Sequence, residues 1–162
     1  MKKCLLVLAT VALAVIPASA FATYSVIQDS CRTDAAANTE TTYFSVVNFN
    51  SAVPVCDLHF IPENPVPGCT IIGCAAPAGW SCSLNPATLG VDYVALTPAD
   101  CISAGQIKRG FHFVLDPEYC CYIVQFTGPQ GEVLAEQEEC FNCVHVATEQ
   151  KAWGDVKRLY QH

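Results

Sequence analysis

The stretch GFHFVLDPEYCCYIVQF, residues 110–126, decides the fold that this sequence predicts. Apolar side chains alternate with other side chains in two runs, over residues 111–115 and 120–126. Because successive side chains of a β-strand point to opposite faces of its sheet, each run predicts a strand with one apolar face. Pro117 lies between the runs, and proline at the second position of a turn favours a chain reversal. The stretch therefore predicts a hairpin.

Two adjacent cysteines in the second run carry further information. Cys120 and Cys121 must point to opposite faces of their strand, because side chains alternate along it. One of them can form a disulfide inside the fold while the other is tied to a group outside it.

Short segments rich in β-branched and aromatic residues recur along the rest of the chain, separated by turn residues. They cover residues 41–48, 55–61, 69–74, 80–85, 91–96 and 132–139, with a short edge strand at residues 23–28. No segment before residue 148 has the period of a helix. Seven to nine short strands with regular turns are typical of an all-β antiparallel sandwich.

A series of short motifs supports the same fold. The motifs are Tyr43-x-x-Val46-x-Asn48, Leu58-His59-Phe60-Ile61-Pro62, Pro77-Ala78-Gly79-Trp80, Ile102-x-x-Gly105 and Gly110-Phe111-x-Phe113. The series spans residues 41–127 and resembles secreted bacterial β-sandwich modules of the immunoglobulin-like and fibronectin-type-III-like kind. That resemblance implies an immunoglobulin-like sandwich in an exterior setting and carries no catalytic residues. The many cysteines depart from the usual pattern.

The first twenty residues have the composition of a secretory signal peptide. Lys2 and Lys3 precede a short apolar run, and Ala18-Ser19-Ala20 fits the small-residue cleavage pattern. The apolar run is shorter than the roughly 18 residues that a membrane-spanning helix needs, and no later run reaches that length. The sequence therefore predicts a secreted protein, extracellular, at the cell surface or periplasmic, with no transmembrane segment in its mature chain.

The predicted organisation has four parts. They are a signal peptide at residues 1–20, a leader at 21–40, a β-sandwich domain at 41–147 and a C-terminal tail at 148–162.

The tail differs in character from the strands before it. Trp153, Val156, Leu159 and Tyr160 recur at helical spacing and form one apolar stripe. The tail resembles short C-terminal endings of other secreted bacterial proteins, which implies a sorting or anchoring signal. The alternatives are a terminal helix packed on the sandwich or a disordered end.

Cysteine content points to the same compartment. Eleven cysteines occur, and ten remain without Cys4 of the predicted signal peptide. An even number of cysteines in an exported chain predicts a disulfide framework, because the exterior is oxidising. The ten are Cys31, Cys56, Cys69, Cys74, Cys82, Cys101, Cys120, Cys121, Cys140 and Cys143. Their pairing cannot be deduced from the sequence, although Cys31 is expected to tie the leader to the sandwich.

The spacing Cys140-x-x-Cys143 also occurs in redox pairs and zinc sites. A redox motif opens a helix, whereas this one follows a strand, and the neighbouring glutamates disfavour a thiolate. Zinc would need further ligands, which Cys120, Cys121 and His145 could supply. Disulfides are favoured over both alternatives in an oxidising exterior, so no metal and no cofactor are predicted.

Charge limits the class of partner. The formal net charge is −7. This charge repels phosphate backbones and anionic membranes, which argues against nucleic acid as a partner. We expect the partner to be a protein or a glycan at the cell exterior.

Catalytic motifs are absent from the sequence, which contains neither G-x-S-x-G nor H-E-x-x-H. His59 and His112 are expected on outer strand faces, where they could be neighbours, but no serine spacing indicates a triad. Four aspartates offer carboxylates for calcium without the spacing of a calcium-binding loop: Asp57, Asp92, Asp100 and Asp116. The sequence predicts no enzyme.

Trp80 and Tyr93 allow two interpretations. On the surface they would form an aromatic platform for sugar rings, which would make the protein a carbohydrate-binding module. In the core they would fill the space between the sheets, and this interpretation is favoured because large aromatic residues dominate sandwich cores. The sequence therefore predicts a non-enzymatic secreted structural or interaction module of the cell surface or extracellular matrix, with carbohydrate binding as the alternative.

Overall fold

The structure, a computed structural model, describes residues 23–63, 70–116, 120–141 and 143. These residues form nine β-strands: β1 (Tyr24–Asp34), β2 (Thr39–Asn48), β3 (Asp57–Pro62), β4 (Ile71–Ala75), β5 (Trp80–Asn85), β6 (Gly90–Ala95), β7 (Gln106–Leu115), β8 (Cys120–Thr127) and β9 (Val133–Phe141). A single 3₁₀ turn (Pro98–Asp100) lies between β6 and β7. The predicted all-β class and the predicted number of strands are confirmed for this part of the chain.

Two antiparallel sheets pack face to face. The four-stranded sheet has the order β1-β2-β7-β4, and the five-stranded sheet has the order β5-β6-β3-β8-β9. Phe44 of β2 lies 5.0 Å from Phe60 of β3 between ring centroids, and Tyr93 of β6 lies 5.3 Å from Phe111 of β7. All four rings are fully buried. The core is therefore an aromatic layer between the sheets, and the predicted antiparallel sandwich is confirmed.

The prediction that residues 110–126 form a hairpin is wrong. β7 belongs to the four-stranded sheet and β8 to the five-stranded sheet, so the chain crosses from one sheet to the other between them. Each strand does bury the predicted apolar face. Alternation looks the same whether two strands pair side by side or face each other across a core, so the pattern could not separate these arrangements. Residues 117–119, which include the predicted turn, lie outside the described residues.

The sandwich begins earlier than the predicted boundary at residue 41. β1 continues past the predicted edge strand at residues 23–28 as far as Asp34, and it pairs with β2 along its length, with a bulge between Gln28 and Ser30. The structure therefore places most of the predicted leader in the four-stranded sheet. Residues 29–34 are polar because β1 is an edge strand whose second half buries few side chains, which hid the strand from a search for apolar alternation.

The predicted signal peptide at residues 1–20 and the predicted tail at residues 148–162 lie outside the described residues. Four residues of the tail's predicted stripe are therefore untested: Trp153, Val156, Leu159 and Tyr160. Among the residues that the structure does describe, no helix has the length and apolar character needed to cross a membrane.

Two disulfides close the sandwich at opposite flanks. Cys31–Cys143 links β1 to a residue just beyond β9, and Cys74–Cys82 links β4 to β5. β1 and β9 are edge strands of different sheets, and so are β4 and β5. Each flank is therefore held by a covalent bond between the sheets. The expectation that Cys31 ties the N-terminal segment to the body is confirmed.

Two further disulfides lie elsewhere in the fold. Cys56–Cys101 joins the segment before β3 to the residue after the 3₁₀ turn, and Cys121–Cys140 joins β8 to β9 within one sheet. Cys120 is also disulfide-bonded, and it is fully buried, whereas Cys121 is partly exposed. The two adjacent cysteines point to opposite faces as predicted. Cys69 lies outside the described residues.

Candidate functional site

A row of five polar side chains crosses the outer face of the five-stranded sheet, one from each strand. In sheet order the members of this polar row are Ser83, Asp92, His59, Gln125 and Glu136, and each is the direct partner of the next in the strand register. Leu58 and Phe60, the neighbours of His59 in β3, are fully buried. Because side chains alternate along a strand, burial of these neighbours directs His59 outward, and the buried neighbours of Asp92 and Gln125 do the same for them. Ser83 and Glu136 share this face through the strand register.

Hydrogen bonds hold several of these side chains in place. His59 Nδ1 donates to Asp92 Oδ1 at 2.8 Å, and Asn85 Nδ2 donates to Asp92 Oδ2 at 2.9 Å. Further along the row, Gln125 Nε2 donates to Glu136 Oε1 at 2.7 Å. His59 and Asp92 keep 31% and 22% of their side-chain surface exposed. The row is therefore oriented by the fold and still open to a partner.

Charge is unevenly divided between the two sheets. The strands of the five-stranded sheet contain five carboxylates and no lysine or arginine: Asp57, Asp92, Glu136, Glu138 and Glu139. In the strands of the four-stranded sheet, Arg32, Lys108 and Arg109 offset three carboxylates. The negative charge of this part of the chain is therefore concentrated on the five-stranded sheet.

Asp57 lies on the same outer face, two positions before His59 in β3. Burial raises the pKa of the Asp57 carboxyl, the nearby His59 opposes that rise, and the neighbouring Asp92 adds to it. Burial and a like charge both disfavour the ionised form. An acid whose pKa is higher in the folded state than in the unfolded state lowers stability as the pH rises above its unfolded pKa, and the loss is complete above its folded pKa.

We expect Asp57→Asn to make the protein more stable than the wild type at neutral pH. The gain should shrink as the pH falls, because the wild-type carboxyl is then protonated and no longer costs stability. Thermal unfolding followed by circular dichroism between about pH 3 and pH 8 measures this difference. Asp92→Asn is the matched control and should lower stability at neutral pH, since it weakens the bond to His59. A loss of stability in both variants would contradict the assigned role of Asp57 burial.

Trp80 and Tyr93 lie in the core and form no surface platform. Trp80 is 5% exposed, its ring lies 5.2 Å from that of Phe111 at an interplanar angle of 86°, and its Nε1 donates to the carbonyl oxygen of Asp100 at 2.9 Å. Tyr93 is fully buried, and its hydroxyl donates to the carbonyl oxygen of His112 at 2.8 Å. Neither ring has a face available for a sugar, which removes the residues on which the carbohydrate interpretation depended.

The two strand histidines are separated by the whole sandwich. His59 lies on the outer face of the five-stranded sheet, whereas His112 lies on the outer face of β7 in the four-stranded sheet, with its ring 5.0 Å from that of Tyr43. The expectation that they could be neighbours is wrong, because their strands belong to different sheets. Of the four aspartates considered for calcium, Asp57 and Asp92 interact electrostatically. Asp100 lies in the 3₁₀ turn and Asp116 follows β7.

Cys140 and Cys143 are bonded to different partners, Cys121 and Cys31. They therefore do not form a redox pair with each other. Two groups of described residues bring three ligand atoms within 4.8 Å: Cys31, Glu40 and Cys143, and Cys121, Glu138 and Cys140. In both groups the two sulfurs are bonded to each other as a disulfide. His145, the other proposed zinc ligand, lies outside the described residues.

Sequence reasoning missed the polar row. His59 and Asp92 are 33 positions apart, and only the pairing of β3 with β6 brings them together. Alternation does mark both residues as outward-facing, so the pattern held the signal for their orientation. The strand order that makes them neighbours was the missing information.

Comparison with known proteins finds similarity to solved structures alone. No family model matches the chain, and no curated protein matches it. A similar solved structure is an uncharacterized protein from Nocardia farcinica, described as having an immunoglobulin-like fold. It is 14% identical in sequence with a TM-score of 0.49, over 69% of this chain and 81% of that chain.

Proposed function

We propose that this protein is a non-enzymatic, secreted β-sandwich that acts as a structural or interaction module of the cell surface or extracellular matrix. Its docking face is the outer face of the five-stranded sheet. One observation carries this proposal: the strands of that sheet hold no lysine or arginine, four of their five carboxylates point to the outer face, and a hydrogen-bonded polar row crosses that face.

Secretion is supported by the sequence and by the disulfides. Residues 1–20 have the signal-peptide pattern, and four disulfides are described, which is typical of proteins that fold in an oxidising compartment. A sorting or anchoring role for residues 148–162 remains part of the proposal.

The arrangement of the polar row favours binding over hydrolysis. A serine nucleophile needs a hydrogen bond to the imidazole that removes its proton. In the row, Asp92 lies between Ser83 and His59, so the carboxylate occupies the position between hydroxyl and imidazole. This order supports a recognition role for the three side chains.

A cationic protein surface is the partner that fits this face. Complementary charge speeds association and selects among partners, and its effect weakens as salt is added. The hydrogen-bonding groups of the polar row add directional contacts to that attraction. A glycan remains the alternative partner, although Trp80 and Tyr93 cannot serve it.

We expect the domain to bind an immobilised lysine-rich peptide in a salt-dependent manner through this face. Glu136→Lys combined with Glu138→Lys, both on the outer side of β9, should weaken binding by about tenfold at low salt, because attraction becomes repulsion at the contact. Surface plasmon resonance at several salt concentrations measures the effect.

The matched control is Glu40→Lys combined with Asp116→Lys. These residues lie at one end of the four-stranded sheet, and the change in net charge is the same. Binding by the control should stay within about threefold of the wild type at moderate salt, where charges beyond a Debye length are screened. An equal loss in both double variants would show that net charge, and not this face, governs binding. Absence of wild-type binding would refute the cationic-partner proposal.

A further inference from the structure

Four disulfides have both cysteines among the described residues, and one of them differs from the other three in what holds its two cysteines together. Cys121 and Cys140 are directly opposite each other in β8 and β9, which pair from Cys120–Phe141 to Thr127–Val133. Cys31–Cys143 and Cys74–Cys82 instead join different sheets, and Cys56–Cys101 joins segments connected by one isolated bridge. The backbone ladder therefore holds Cys121 and Cys140 in place independently of their sulfur bond.

This difference predicts what reduction would do. Cleavage of a flank disulfide releases the covalent link between the sheets, whereas cleavage of Cys121–Cys140 leaves the β8–β9 ladder intact. Both of these cysteines are partly exposed on the outer face, and β9 is an edge strand. Cys56 and Cys101 are only 7% exposed. The cysteines of the two flank bridges are partly exposed as well. Because thiol–disulfide exchange requires access to a sulfur, Cys121–Cys140 is the accessible bridge whose cleavage leaves its strand pairing intact.

A carboxylate lies beside this disulfide. Glu138 is two positions before Cys140 in β9, so both side chains are on the same face, and Glu138 Oε1 lies 3.9 Å from Cys140 Sγ. The ligand atoms of Cys121, Glu138 and Cys140 all lie within 4.8 Å of one another. Two thiolates and a carboxylate are ligands that zinc accepts, and the open outer face leaves room for water as a fourth.

We propose that Cys121–Cys140 is a reversible disulfide and that its reduced form, together with Glu138, is a binding site for a thiophilic divalent cation such as Zn²⁺. The reductant is an external dithiol. One of its thiolates attacks Cys140 Sγ, the S–S bond breaks, Cys121 leaves as a thiolate, and a mixed disulfide forms. The second thiol of the reductant then loses its proton and attacks the reductant's sulfur in that mixed disulfide. This step releases the Cys140 thiolate and leaves the reductant with an intramolecular disulfide.

Electrons, protons and charge are conserved over these reduction steps. Two electrons pass from the dithiol to the protein disulfide, and the two protons of the dithiol pass to solvent or to the cysteine sulfurs. Zinc binding then displaces any protons from those sulfurs. Without a metal, the Glu138 carboxylate disfavours two neighbouring thiolates, so the cation also relieves repulsion among three like charges.

The second three-ligand group provides an internal comparison. Cys31, Glu40 and Cys143 offer the same donor atoms, but Cys143 lies beyond the end of β9, and no strand pairing holds it against β1. Reduction there frees the two cysteines to separate. A site that persists after reduction is therefore expected at Cys121, Glu138 and Cys140.

The first experiment follows reduction. The folded protein is incubated with increasing dithiothreitol, trapped with iodoacetamide and analysed by peptide mass spectrometry, with circular dichroism recorded at each step. We expect Cys121 and Cys140 to be alkylated first, while the β-sheet spectrum is unchanged and Cys31–Cys143 is intact. Resistance of Cys121–Cys140 beyond the other bridges, or loss of the spectrum together with its reduction, would overturn the proposal.

The second experiment measures metal binding with Zn²⁺ alone as the probe, by equilibrium dialysis. Partially reduced wild type should bind zinc, and both the oxidised protein and Cys121→Ser/Cys140→Ser should not, the latter checked for folding by circular dichroism. Glu138→Gln should weaken zinc binding by at least about tenfold, since even outer partners of metal ligands contribute that much. Glu136→Gln, on the same face of β9 but outside the three-ligand group, should leave it unchanged. Equal affinities for these two variants, or no zinc binding by the reduced wild type, would refute the site.

Discussion

Replacement of Phe44 by alanine is expected to lower the free energy of unfolding by about 3–5 kcal/mol, the range for phenylalanine truncation in a packed core. Phe44 is fully buried in β2. Its ring lies 5.4 Å from Phe111 in its own sheet, and 5.0 Å from Phe60 and 5.6 Å from Tyr93 in the other. Truncation at this position would remove ring contacts with both sheets and leave a cavity between them. Because small domains are stable by only about 5–15 kcal/mol, the loss would be a large part of the total.

Phe49→Ala is the matched control for this truncation. Phe49 follows β2 directly and is 53% exposed, and its backbone N–H, which donates to the carbonyl oxygen of Thr23, is retained in the variant. Its effect should stay within about 0.5 kcal/mol, as is usual for surface positions. Urea unfolding under non-reducing conditions compares the two variants. A similar loss in both would show that the aromatic layer is not the main source of stability.

The alternation of apolar side chains was sufficient to predict which faces are buried. Phe111, Phe113 and Leu115 in β7 share the predicted face and are at most 1% exposed. The alternation of apolar side chains identifies the two faces of a single strand. The pattern is the same whichever strand or sheet packs against the buried face. The assignment of inner and outer positions therefore needed no knowledge of strand order.

Strand order was the part that the sequence could not supply. A hairpin between β7 and β8 and a crossover between sheets bury the same side chains, so no residue in 110–126 distinguishes them. The actual neighbours of β7 are β2 and β4, which lie far from it in the chain. These long-range pairings are set by how the two sheets share one core, which is a property of the whole chain.

The candidate docking face could not be predicted from the sequence either, because it also depends on strand order. Asp92, His59 and Gln125 come from three strands, and their lateral contact arises only from the order β6-β3-β8. The polar half of β1 was missed for a different reason. An edge strand has one paired side and few buried positions, so Arg32 and Asp34 fit it without an apolar partner.

Disulfide pairing follows from the same tertiary information. Cys31 and Cys74 lie on the inner faces of two edge strands, where each can reach the other sheet. Their partners are 112 and 8 positions away in the chain, so sequence distance carries no information about which cysteines meet. It does, however, determine how much each bond restricts the unfolded chain.

Removal of the Cys31–Cys143 bridge by replacing both cysteines with serine is expected to cost about 4–5 kcal/mol of unfolding free energy. The bond closes a loop with a sequence separation of 112, and the entropy that a disulfide removes from the unfolded chain grows with the logarithm of loop length. The folded state also loses its covalent link between β1 and the end of β9. Urea unfolding under non-reducing conditions measures the change, with mass spectrometry confirming that the remaining bridges are formed.

The equivalent double serine variant at Cys74 and Cys82 is the matched control, because this bridge also joins two edge strands across the sandwich. Its sequence separation is only 8, so the same relation gives a cost of about 2–3 kcal/mol. The two bridges thus differ mainly in loop length while closing equivalent flanks. If the Cys74–Cys82 variant loses as much stability as the Cys31–Cys143 variant, then loop entropy does not rank these bridges, and the packing of each flank in the folded state must determine the cost.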